Sequence, residues 1–96
     1  METLPPVPER PELARRARMR FDKTRESHVL LMPERVVMLS ESAAEILGLC
    51  NGERSVTDLV AELKSRYPDA PLNELEADVT EFLREAVERK WLERTS

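Results

Sequence analysis

One histidine, one cysteine and a row of carboxylates are the groups in this chain that could do chemistry. His28 and Cys50 could in principle form a base and a nucleophile, but such a pair needs a third group to orient the base. No residue stands at a spacing that supplies one. Cys50 instead reads as a small buried residue closing a helix, and His28 as a strand residue at the rim of a sheet. Zinc or an iron–sulfur cluster needs more Cys and His than the chain holds. Glu74, Asp78, Glu81, Glu85 and Glu88 are spaced like the solvated face of a helix, and no pair among them stands out as acid and base. With only Gly48 and Gly52, no loop can cradle a phosphate. The expectation is a protein that is not an enzyme and needs no cofactor or metal.

The elements that would position these groups come in two periods. Ala17-Arg18-Met19-Arg20-Phe21 alternates apolar and charged residues, which predicts a strand with Ala17, Met19 and Phe21 inward. His28 to Met32 reads as a second strand and Val36-Val37-Met38-Leu39 as a third, with Pro33-Glu34-Arg35 as the turn between them. Connections this short favour an antiparallel meander. After Leu39 the spacing turns helical. Ser40 or Ser42 can cap a first helix, with Ser42 and Glu45 as a capping box, and Asn51-Gly52 can stop it. Ser55 caps a second helix that ends at Tyr67-Pro68. Leu72, Leu75, Val79, Phe82, Leu83, Ala86 and Val87 predict a third, running to Arg89 or Lys90, after which Trp91 and Leu92 fold back onto the core. The fold class expected is α+β, a three-stranded antiparallel sheet followed by three helices.

Length and composition set the frame. The 96 residues suit one domain, 15–96, preceded by a flexible Pro-rich arm, 1–14, with prolines at 5, 6, 8 and 11. The single cysteine excludes an intrachain disulfide. Neither an apolar signal region nor a membrane-length run is seen, so a cytoplasmic protein without a membrane partner is expected. Residues 1–25 carry seven Lys/Arg against four Asp/Glu, and residues 26–96 carry eight against fifteen. An acidic body suits the phosphate backbone poorly. The same order of elements also outlines a DNA-binding winged helix-turn-helix. Its recognition helix should present basic and amide side chains, whereas the third helix here is acidic, so no nucleic-acid partner is expected. The cluster Arg15, Arg16, Arg18 and Arg20 reads as a solvated arm and strand face.

The third strand is apolar on both faces of the pleat and lies at the edge of a three-stranded meander. Edges are normally protected by charge, proline or cover, because their unpaired backbone groups recruit other strands. Two readings stand side by side. One face packs on the helices and the other is covered by the third helix or the arm, or an extended peptide adds as another strand. A homodimer would use the same edge, so monomer and homodimer both stay open, and with them a purely structural dimerisation module. Under the peptide reading, Val37→Pro is expected to abolish binding.

His28-Val29-Leu30-Leu31-Met32-Pro33-Glu34, Leu39 to Leu47, Cys50-Asn51-Gly52 and Lys90-Trp91-Leu92, in that order and spacing, resemble the PqqD family of pyrroloquinoline quinone (PQQ) biosynthesis. The resemblance runs from about Arg18 to Leu92. It implies a winged-helix-like fold of the kind used as recognition elements for ribosomally made, modified peptides (RiPPs). It further implies a peptide chaperone that binds the precursor peptide PqqA and presents it to PqqE, a radical S-adenosylmethionine enzyme that links a Glu and a Tyr side chain within the peptide. The peptide would add beside Val36, Val37, Met38 and Leu39. The wall of the cleft would come from the third helix, at Leu75, Glu76, Val79, Thr80 and Leu83. Lys90 departs from the pattern, since many members have Gly there.

Overall fold

The computed structural model describes residues 9–93. Its centre is an antiparallel meander of β2 (Arg18–Asp22), β3 (Ser27–Leu31) and β4 (Val36–Met38), as the alternation of residue types predicts. Asp22 makes the first turn by accepting hydrogen bonds from the Thr24 and Arg25 amides at 2.9 and 3.3 Å, with Glu26 at φ 52°. Met32 and Arg35 exchange backbone hydrogen bonds across the second.

Register sorts the side chains into two faces. Met19, Leu30 and Val37 form one inward row, and Phe21, His28 and then Leu39 continue it, the Leu39 amide donating to the His28 carbonyl. Arg20, Val29 and Met38, with Arg18, Leu31 and Val36, form the outer face. Phe21 is a departure from expectation. It shares the inward row but is half exposed, resting edge-on against His28 at 5.0 Å instead of under a helix.

Three helices close the inner face: α1 (Glu41–Leu49), α2 (Val56–Arg66) and α3 (Leu72–Glu88). Ser40, not Ser42, caps α1, its hydroxyl accepting from the Ala43 amide at 3.1 Å. The Ser42–Glu45 box does not form, because Glu45 is held across the fold by Arg66 and the Tyr67 hydroxyl, each at 2.8 Å. Those contacts, the Arg66 hydrogen bond foremost, hold the Glu45 carboxyl below its ordinary range. A capping box does form one helix later, between Ser55 and Asp58. Gly52 takes a left-handed φ of 82°, as the Asn51-Gly52 pair predicts. The core joins Leu30 of the sheet to Leu47, Leu59, Val79 and Leu83, one or two from each helix. Each such side chain contributes about 1.5–3 kcal/mol by leaving water.

Helix α3 ends in a Schellman motif. The Trp91 amide donates to Ala86 and the Lys90 amide to Val87, with Lys90 left-handed at φ 66°. That reversal buries Trp91 and Leu92 in the core, as expected. It also starts β5 (Leu92–Glu93), which pairs antiparallel with β1 (Glu12–Leu13). Within the expected arm, 1–14, Glu12 and Leu13 thus form a strand. Residues 1–8 lie outside the described residues, while Pro11 is fully buried and its carbonyl accepts from the Gly52 amide.

Candidate functional site

Among the described residues β4 is one of the two outer strands of the meander, β2 being the other. Antiparallel pairs alternate between residues that exchange backbone hydrogen bonds and residues that do not. Met32 with Arg35 and His28 with Leu39 are bonded, so Leu30 with Val37 is the bonded pair between them. Val37 and Leu39 thus direct their N–H and C=O groups into the sheet, and Val36 and Met38 direct theirs away from it. Among the described residues no strand pairs on that outer side. The two side chains there are also open to solvent, Val36 at 55% and Met38 at 51%.

Beside this edge lies a groove of about 490 Å³ between the end of β4, the start of α1 and one flank of α3. Met38, Ala43, Ile46, Phe82 and Trp91 give it an apolar lining, with Asp78 and Glu85 at the α3 side. Asp78, Phe82 and Glu85 share a helix face by their spacing of four and three. Phe82 leans on Trp91, ring centres 6.4 Å apart, and the Arg89 guanidinium sits 5.5 Å from the Trp91 ring centre. The Schellman reversal at Lys90 is what delivers Trp91 to this wall.

Val36, Val37, Met38 and Leu39 are thus one continuous segment, two exposed, one half-buried and one buried. The α3 residues expected in the cleft wall are not brought to it. Val79 and Leu83 are only 1% and 0% exposed and belong to the core, which Leu75 also packs against. Glu76 and Thr80 line a different depression, with Asn73, Ala77 and Arg84. The groove takes the adjacent flank, Asp78, Phe82 and Glu85. One signal could have found it: Phe82 is the aromatic member of the α3 stripe and stands beside, not on, the line Leu75–Val79–Leu83.

Neither Cys50 nor His28 lines this groove. Cys50 is buried, its thiol donates to the Ile46 carbonyl at 3.2 Å, and burial pushes its pKa up to about 12. His28 is exposed and lines a recess along the other face of α1, which Cys50 does not reach.

A short meander with a free edge, closed on one face by three helices, is the architecture of a RiPP recognition element. The structure is similar to the PqqD part of Methylobacterium extorquens PqqCD, itself described as a functional, stand-alone RiPP recognition element, with a TM-score of 0.73, 38% identity and 88% of each chain covered. Residues 27–92 match the family described as coenzyme PQQ synthesis protein D, and the chain belongs to this PqqD family. It is similar to proteins called PqqA binding protein. The one from Azotobacter vinelandii is 45% identical, covering 86% of this chain and 88% of its own. The one from Bradyrhizobium diazoefficiens is 43% identical, covering 86% and 80%. The one from Pseudomonas aeruginosa is 40% identical, covering 95% and 97%.

Proposed function

We propose that this protein binds the precursor peptide PqqA as an added strand along Val36–Leu39 and presents it to the radical S-adenosylmethionine enzyme PqqE. The observation that carries the reading is the outward-turned backbone of Val36 and Met38 beside an apolar groove. Relatives with 40–45% identity are called PqqA binding proteins, which supports the choice of peptide. Main-chain hydrogen bonds to Val36 and Met38 would set the peptide's register. Alternate peptide side chains would then enter the groove against Phe82 and Trp91. The domain contributes position, not catalysis: a preformed edge lowers the ordering cost of a flexible peptide and leaves its reacting segment free. The work would be done in the cytoplasm, and no helix among the described residues is long and apolar enough to cross a membrane.

The acidic outer face of α3, with Glu74, Glu81 and Glu88, argues against docking on DNA. Titration of the labelled protein with synthetic PqqA tests the proposal. Amide shifts should concentrate at residues 36–40 and at Asp78, Phe82, Glu85 and Trp91. Absence of binding, or shifts centred on Glu76 and Thr80, would contradict it. A concentration-dependent mass without peptide would instead assign the edge to a second copy of the chain.

A further inference from the structure

The outer face of the sheet carries several arginines. Arg18 and Arg20 project from β2 onto the face that holds Leu31, Val36 and Met38. Among the described residues neither makes an ion pair, whereas Arg66 and Arg89 are both paired with carboxylates. Arg25 reaches over the same face and donates to the Met38 sulfur at 3.5 Å. Arg20, Lys23 and Arg25, together with Asp22, border a basin of about 790 Å³ with Val29, Leu31 and Val36 in its lining, so cations outnumber carboxylates there three to one. Val29 is buried yet stands outside the main apolar cluster, so this face keeps a small apolar centre of its own.

The protein as a whole has a net charge of −4, so these cations are a local reversal of its sign. An apolar centre flanked by the guanidinium groups of Arg18, Arg20 and Arg25 matches a protein surface that presents carboxylates around an apolar patch. A second copy docked face to face would set arginines against arginines, which disfavours a symmetric dimer here. Nucleic acid would match the charge but leave Leu31, Val36 and Met38 without an apolar counterpart.

We propose that this outer face docks an acidic protein partner while a peptide occupies the β4 edge. This coupling rests on the strand-addition reading. An added strand extends the sheet, and every second peptide side chain then lies on the outer face beside Val36 and Met38. A partner seated on Arg18, Arg20 and that apolar centre therefore touches the domain and its peptide at once. Domain and peptide together form a surface that neither presents alone.

Charge reversal at positions away from the peptide edge tests this, with PqqE as the probe. Arg18→Glu with Arg20→Glu should lower PqqE affinity at least about tenfold while PqqA affinity stays within about twofold of wild type. Arg18→Gln with Arg20→Gln, the gentler pair should the first fold poorly, should weaken it in the same direction. Added salt should weaken the wild-type complex more than either variant's. Unchanged PqqE affinity in both folded variants overturns the docking face, and so does salt-sensitive duplex DNA binding that the variants lose. Failure of the wild type to bind PqqA is a separate result and sinks the strand-addition reading instead.

Discussion

Met38→Pro should leave the domain folded and remove peptide binding. The Met38 N–H points away from the sheet, so proline there costs no internal hydrogen bond, and edge positions of this kind accept proline. Val37, the residue before it, is already extended, as a residue preceding proline must be. Stability should change by about 1 kcal/mol or less, while peptide affinity falls at least about tenfold because one ladder bond and the close approach of the added strand are lost together. Val37→Pro is the contrasting variant. Its N–H faces Leu30, so proline would break the domain's own ladder and leave a carbonyl unsatisfied, at a cost of about 1–3 kcal/mol. Loss of binding in that variant would report a damaged sheet. Thermal melts and peptide titrations of both variants separate the two effects. A folded Met38→Pro protein that binds PqqA normally would remove β4 from the site.

Leu83→Ala should have the largest effect on stability. The side chain is completely buried against the sheet and the other helices, and truncation leaves a cavity that the packed surroundings fill only in part. The expected loss is about 2–5 kcal/mol, enough to lower the melting temperature by about 10 °C or more in a domain of this size. Phe82→Ala, one residue away, should act differently. Phe82 is half-buried and faces the groove, so its truncation should cost less stability and lower peptide affinity about tenfold. The comparison decides which flank of α3 borders the peptide. If Leu83→Ala melts like wild type and loses only binding, Leu83 is a groove residue and the account of α3 is wrong.

The legible parts of the fold were those whose signal lies within a few residues. Alternation in Arg18–Phe21, the short turn at Pro33-Glu34 and the apolar stripe of α3 each state their element locally, and the register follows from short connections. The ribbon of Glu12–Leu13 with Leu92–Glu93 could not be read this way. Two-residue strands have no period, and their partners stand at opposite ends of the sequence. Lys90 hides the stop of α3 because a left-handed residue there is normally glycine. Lysine accepts the strain since the turn is fixed by two backbone hydrogen bonds and the burial of Trp91.

The candidate site, edge and groove, was legible in half as geometry. Val36–Leu39 announces an unprotected edge, because apolar residues on both faces of an edge strand are unusual whatever the fold. The α3 half was not, since helical periodicity identifies the stripe that is most apolar, and that stripe is the core. Which neighbouring flank borders the groove depends on how α3 lies against α1 and β4, and on Trp91 returning through the reversal at Lys90. Both are set by tertiary packing.

Amide hydrogen exchange at β4, with and without saturating PqqA, tests the central claim most directly. In the free protein Val37 and Leu39 should be protected, while Val36 and Met38 exchange readily. In the complex all four should be protected, the change falling on Val36 and Met38 alone. If PqqA binds and those two amides exchange as before, the peptide does not join the sheet at this edge.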